Sequence, residues 1–355
     1  MSRGKRHSRG RGLRLVFIVT ALLAGILAFW LFDRYQRFAD TPIAGIGEDA
    51  SLVVASGDNF AGVLRKLHAL GVSPRRDPEW QLLARQLGAA SRLQVGEYAL
   101  PAGITPRRLL LDMRDGKVVR RRFTIVEGWS WRQVRAALAR AEPLEQETAG
   151  LDDAALMAAL GHAGVHPEGR FLPETYLYTR GDSDLDILER AYDAMDQALE
   201  SAWTGRAEGL PLASSEEALV LASIVEKETG IAEERPMIAG VFLRRLDKGM
   251  RLQTDPTVIY GMGKDYAGNI RRADLARDTP YNTYTRAGLP PTPIAMPGVA
   301  ALQAVTHPAG GDALYFVAVG DGSGRHVFTR SLREHQAAVR EYLQRYRARR
   351  KAQGQ

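Results

Sequence analysis

The stretch SSEEALVLASIVEKETG, residues 214–230, has the marks of a single helix, and it carries charge where burial is expected. Ser214, followed three residues later by Glu217, forms a capping-box signature with Ser214 as N-cap and Glu217 at N3. Gly230 supplies a C-terminal stop. At roughly 100° per residue, Ala218, Leu221, Ile224 and Val225 share one stripe, and Glu228 falls on the same stripe. Glu226 lies nearly opposite Leu221 and Lys227 lies to the side; both read as a solvated helix end. Leu219, Val220 and Ala222 make the helix apolar nearly all round. Glu228 is therefore the carboxylate expected where an apolar face meets a cleft. Desolvation there raises a carboxyl pKa, so the group keeps its proton near neutral pH and can act as a general acid. A lone glutamate at a helix end is more often a surface charge, so the assignment leans on the rest of the chain.

The chain has 355 residues, room for about two domains. It has no cysteine, which excludes a disulfide framework, a thiol nucleophile and thiolate metal sites. The net charge of +7 is not spread evenly. Residues 1–14 hold six basic residues, and residues 336–355 hold six against Glu341, which leaves the middle of the chain acidic. Basicity confined to two tails argues against a nucleic-acid groove in the folded body.

LVFIVTALLAGILAFWLF, residues 15–32, is an uncharged run of 18 residues, just long enough to span a bilayer. The basic block before it predicts a cytoplasmic N-terminus and an exterior location for residues 33–355, in a bacterial-type periplasmic space. Trp30 fits an aromatic anchor at the outer end. A cleaved signal peptide is the competing reading, but the run exceeds a typical h-region and no clear A-x-A site follows.

The expected organisation is α+β: a cytoplasmic basic tail (1–14), a single-pass transmembrane helix (15–32), a linker (33–50), a small module (51–120), a larger catalytic domain (121–340) and a basic C-terminal tail (341–355). In the small module SLVVAS reads as a strand, NFAGVLRKLHALGV and EWQLLARQLGAASRL as helices, VGEYALP as a second strand and ITPRRLLLDMRDG as a capped helix. The strand–helix–helix–strand order resembles the LysM carbohydrate-binding module; a small α+β spacer fits the same pattern. KVVRRRFTIV alternates as a strand. Trp129 and Trp131 follow, which can stack on sugars or simply pack. The basic tail REYLQRYRARRK reads as a solvated helix.

Three further blocks bear on chemistry: VFLRRLDKGMRLQTDPTVIYGMG from Val241, ARDTPYNTYTRAGLPPTPIAMPG from Ala276 and LYFVAVGDGSGRHVFTRSLREHQ from Leu314. The glycines of the last lack a following Lys-Ser/Thr helix, so a P-loop is excluded. His307, His326 and His335 lack metal-motif spacing, and Ser323 is not in a nucleophile elbow. Together with LASIVEKET and GRFLPETY, these blocks resemble the membrane-anchored endolytic lytic transglycosylases of the MltG/YceG-like family, over nearly the whole chain.

The resemblance implies cleavage of peptidoglycan glycan strands between N-acetylmuramic acid and N-acetylglucosamine, a 1,6-anhydromuramoyl product, no metal or cofactor, and membrane peptidoglycan synthases as partners. It implies that the second glutamate of E-K-E-T, Glu228, is the catalytic group, the residue the helical stripe also selects. By analogy with lysozyme-like transglycosylases, Gln253, Thr254 and Asp255 and the loop residues Tyr281, Asn282 and Tyr284 are candidates for holding the sugar, with Glu174 and Tyr176 as further cleft residues. Each also reads as a turn residue. Two alternatives stay open: a water-using muramidase with Asp255 or another acid as second carboxylate, and a noncatalytic glycan-binding scaffold.

Overall fold

An uninterrupted helix, α1 (Ser8–Asp40), begins the computed structural model, which describes residues 8–47 and 50–352. The basic residues Arg3, Lys5 and Arg6, and the last three residues of the C-terminal tail, lie outside the described residues. Within the span Leu13–Asp40 the 18-residue apolar window has mean hydropathy 2.7 and none of it is buried, which fits a membrane-crossing helix. The expected linker at 33–50 is corrected in its first part: the helix runs on to Asp40, because no breaker occurs before Thr41-Pro42. Residues 33–40 are bound rather than free. Arg107 Nε donates to Asp40 Oδ1 at 2.7 Å, Arg34 pairs with Glu79 at 3.0 Å, and Ala39 is fully buried.

The chain divides into two units, the first comprising residues up to Arg121 with Thr179–Gly181. In this unit β1 (Ser51–Val54) and β2 (Gly96–Ala99) pair antiparallel, Ser51 opposite Ala99. Between them lie α2 (Phe60–Ala69) and α3 (Asp77–Gln86), and after them α4 (Pro106–Asp115). Local chemistry explains the boundaries. Asn59 caps α2 by accepting from Gly62 N at 2.9 Å, and Thr105 caps α4 ahead of Pro106. Leu52, Leu67, Trp80, Leu83, Tyr98 and Leu109 belong to its core.

The second unit holds the remaining residues from Arg122. Its elements are β3 (Arg121–Thr124), α5 (Trp131–Leu138), α6 (Asp153–Ala159), β4 (Thr175–Tyr178), α7 (Asp184–Thr204), α8 (Ser215–Glu228), α9 (Arg235–Asp247), α10 (Asp255–Met262), α11 (Arg272–Ala276), α12 (Val299–Thr306), β5 (Tyr315–Ala318), β6 (His326–Thr329) and α13 (Leu332–Ala352). Among the described residues its strands form two-stranded ladders, β3 with β4 and β5 with β6. Helices therefore carry the core. One apolar cluster joins α7, α8, α9 and α12 through residues such as Leu221, Ile224, Phe242 and Leu302. A second gathers Trp131, Met157, Phe171 and Ile187 around β3 and β4. Trp131 is stacked on Phe171 in that cluster, centroids 4.9 Å apart, so its ring packs rather than faces solvent. The C-terminal basic segment is an exposed helical continuation of α13.

The opening helix forms nearly as its sequence predicts. Ser214 Oγ accepts from Glu217 N at 3.3 Å. The return half of the box shifts by one residue, since Glu217 accepts from Ala213 N at 2.6 Å. The C-terminus differs more. The helix stops at Glu228, and Thr229 is extended at φ −147°, ψ 138°. Gly230 does not terminate it. Thr229 Oγ1 instead accepts from Ile231 N at 3.0 Å, a local side-chain bond that competes with another helical turn.

Candidate active site

Glu228 is the last helical residue of α8, separated by two residues from a run of eight consecutive buried residues, Ala218 to Val225. That placement holds its backbone on a rigid element and turns its side chain out at the rim of the core. The residue is half-buried, and burial of its carboxyl pushes the pKa up to about 7. A hydrogen bond from Thr254 Oγ1 to Glu228 Oε1 opposes that rise, the charge of Asp255 adds to it, and Arg245 opposes it. The balance is a carboxyl that holds a proton near neutrality yet sits where a ligand can reach it.

Thr254 comes from the turn that enters α10, where Pro256 fits the first helical turn. The turn is unusual. Gln253 has φ 51°, and it is the only non-glycine residue with positive φ among the described residues. Such a conformation costs of order 1–3 kcal/mol and persists only where neighbours enforce it. Here Gln253 N donates to Thr283 O at 3.2 Å, and Thr254 N to Thr283 Oγ1 at 3.1 Å. Thr257 Oγ1 closes the set with Thr254 O at 2.8 Å. The Gln253 side chain is exposed on a fixed backbone, one residue before the Thr254 that bonds the carboxyl.

Arg245, from α9, supports the same turn from below. It is 7% exposed and donates to Leu314 O and to Leu252 O, each at 2.7 Å. Carbonyls offset the cost of burying the guanidinium, whose pKa desolvation lowers. Sequence reading missed Arg245 because its partners are backbone carbonyls, which leave no side-chain signature, and one of them, Leu314 O, lies 69 residues away.

The structure brings Glu228, Thr254, Asp255 and Tyr284 together. Tyr284 Oη donates to Asp255 Oδ1 at 2.6 Å, and burial together with Asp255 raises the phenol's pKa. Asn282 has another task. It is 1% exposed, its amide nitrogen donates to Arg277 O at 2.7 Å and Leu275 O at 3.1 Å, and its Oδ1 accepts from Tyr284 N at 2.8 Å. With both sides of the amide engaged internally, Asn282 shapes the loop that presents Tyr284. Tyr281 shares a hydrogen bond with Thr292 Oγ1 at 2.8 Å and packs edge-on against Tyr260. Tyr176 is buried and donates to Leu172 O at 2.7 Å, a core residue rather than a cleft residue. Glu174 is exposed, and its carbonyl accepts from Ile125 N at 3.0 Å beside β3.

Two acidic residues depart from the sequence reading. Glu226, expected to be solvated, has a side chain only 5% exposed, pairs with Arg235 at 3.1 Å and accepts from Gly298 N at 3.0 Å. Glu168 was not singled out. It is 2% exposed, and burial raises its pKa to about 7 against hydrogen bonds from Trp131 N at 2.8 Å and Tyr260 Oη at 2.9 Å. The neighbouring Gly169, at φ 80°, leaves no room for a side chain: a Cβ would stand 2.5 Å from Pro293.

The fold and this site fit one class of protein: α+β, with an apolar N-terminal helix and a proton-retaining carboxyl at the end of a buried helix. The comparisons with known proteins agree. The YceG-like family matches residues 52–341, and the chain belongs to that family. It is 32% identical over 301 residues to an endolytic murein transglycosylase of Bacillus subtilis (strain 168), covering 80% of this chain and 81% of that one. It is 34% identical over 182 residues to an endolytic murein transglycosylase of Streptococcus pneumoniae (serotype 2, strain D39), covering 50% of this chain but 32% of that longer protein. A crystal structure of a YceG-like protein from Listeria monocytogenes aligns with TM-score 0.51 and 27% identity, over 82% of this chain and 99% of that one.

Proposed function

We propose that this chain is an endolytic murein transglycosylase, with Glu228 as its single acid–base group. The carrying observation is that carboxyl: desolvated, shifted to about 7, and hydrogen-bonded by Thr254 at the end of a rigid helix. Protonated Glu228 gives its proton to the glycosidic oxygen between N-acetylmuramic acid and N-acetylglucosamine as the bond to C1 breaks. The resulting carboxylate takes the proton of the muramoyl C6 hydroxyl, whose oxygen closes on C1 to form the 1,6-anhydro ring. The proton returns to Glu228, and no water is consumed. The nucleophile belongs to the substrate, so proximity supplies much of the rate, and one residue acts as acid and then base. Thr254 orients the carboxyl, Asp255 and Tyr284 flank it, and Gln253 offers its amide to the sugar.

A second reading has one specific observation behind it: Asp255 lies close enough to Glu228 to raise its pKa, as a second carboxylate of a water-using muramidase would. The product separates the two. Purified peptidoglycan is digested with the full chain in detergent and with its Glu228→Gln variant, and new sugar ends are identified by mass spectrometry. Anhydro ends from the parent and none from the variant support the first reading. Reducing ends heavier by one water support the second.

The N-terminal helix acts as the membrane anchor, with residues 1–14 cytoplasmic and the catalytic residues on the outer side. The domain reading assigns residues 51–120 to a LysM-like glycan-binding module, supported by the β1-α2-α3-β2 order, and residues 121–340 to catalysis. Membrane peptidoglycan synthases are the proposed partners, with cleavage ending nascent strands.

A further inference from the structure

One face of α10 continues away from the acid into a cavity of about 690 Å³. Pro256, Ile259 and Tyr260 line it as a stripe at positions i, i+3 and i+4 of the helix, with Gly263 just past its C-terminus. The stripe begins next to Asp255. From Thr254, which holds Glu228, to Tyr260 the helix rises about 9 Å at 1.5 Å per residue. Lys227, the neighbour of Glu228, also lines the cavity. The cavity wall thus starts one residue before Glu228 on α8 and two residues after Thr254 on α10.

Its wall has the two chemistries that a pyranose ring presents, an apolar C–H face and a rim of hydroxyls. Tyr260, Tyr266 and Tyr281 supply aromatic surface, and Arg132, Gln133 and Lys227 supply nitrogen donors. Two of the rings are fixed before any ligand arrives. Tyr260 and Tyr281 meet edge-to-face with centroids 4.8 Å apart. Tyr260 Oη is held by the buried Glu168, and Tyr281 Oη by Thr292. Preorganised groups of mixed polarity in a cavity of this size are what small-ligand sites are made of.

We propose that this cavity is a glycan subsite, taking a saccharide of the strand that is cut at Glu228, one or two sugars from the scissile bond. Glu168 is its positioning residue, setting the plane of Tyr260 from beneath. The proposal rests on the cleavage reading for the identity of the strand, but binding to the cavity can be measured without turnover.

The test uses the full chain in detergent carrying Glu228→Gln, titrated with glycan oligosaccharides stripped of their peptides, from disaccharide to octasaccharide. Affinity should rise with length until the strand reaches the cavity. Adding Arg132→Ala or Tyr266→Ala should weaken the long oligosaccharides about tenfold, a single contact's worth, and leave the disaccharide within about twofold. Arg132 is exposed, so its loss does not threaten folding. Equal affinities for the long strands with and without these substitutions would overturn the subsite. Binding that requires intact peptide stems would also overturn it, in favour of a peptide pocket. If Glu228 protein releases no anhydro ends but the length pattern and its loss are seen, the cleavage reading fails and the subsite stands. If anhydro ends form and the pattern is absent, the subsite alone fails.

Discussion

At the scale of single residues, Glu228 is costly to keep. A carboxyl whose pKa is about 7 in the folded chain and 4.5 when unfolded binds its proton more tightly when folded. Folded stability is then greatest below pH 4.5 and falls as pH rises through 7, by about 3 kcal/mol at most. Glu228→Gln removes that penalty. We expect the variant to lose at least about 100-fold in glycan cleavage while melting higher than the parent at pH 8, with the two melting points converging toward pH 4.5. An equal gain at both pH values would mean that the proton is not the cause. Activity requires the protonated acid, so turnover should decline above pH 7. Thr254→Val removes the one hydrogen bond that favours the ionised form, so the alkaline limb should move to higher pH, read from rates across pH 5–9. A limb that moves down or stays put would sink the role given to Thr254. The sequence made Glu228 legible because its stripe is buried by periodicity alone. Glu168 was not legible: its two donors, Trp131 N and Tyr260 Oη, come from 37 and 92 residues away, and no local pattern encodes that.

At the scale of elements, the end of α8 is fixed by tertiary partners, and this is where sequence reasoning ran out. The capping chemistry of Ser214 is local and was readable; the stop assigned to Gly230 was not the operative one, because Thr229 leaves the helix first. Glu226 shows why. Its carboxylate is held by Arg235, at the start of α9, and by the backbone of Gly298 just before α12. It ties together three helix termini around the last turn that carries Glu228. Orphaning one member of a buried ion pair costs about 3–5 kcal/mol; Arg235 keeps a longer pairing with Glu127 at 3.5 Å, so the loss here is a part of that. Glu226→Ala should therefore lower the melting temperature by several degrees and reduce cleavage even well below the melting range, because the final turn loses its clamp. The check is calorimetry together with anhydro-end yield at low temperature. An unchanged melt would return Glu226 to the solvated helix end that its place on the wheel implies. Gln253 belongs here too, since nothing in LQTD announces a left-handed backbone; the conformation follows from its pairing with Thr283.

At the scale of the whole molecule, the activity constrains which side of the membrane each part occupies. Peptidoglycan lies outside the plasma membrane, so Glu228 can meet it only if the chain after α1 is translocated. Charge supports that orientation: six basic residues precede the apolar run, while Arg34 and Arg37 alone follow it closely. The lack of any cysteine in 355 residues makes the orientation directly measurable, since one introduced thiol is the only reactive site. Ser323→Cys places it on an exposed turn between β5 and β6, and Ser2→Cys places it before the anchor. In spheroplasts a membrane-impermeant maleimide should label the first at once and the second only after lysis. The reverse pattern would put the carboxyl in the cytoplasm, away from every glycan strand, and transglycosylation would fail as its function, however well Glu228 is poised. Labelling of both without lysis would mean that α1 does not span the membrane, and the anchor would fall while the active site stood.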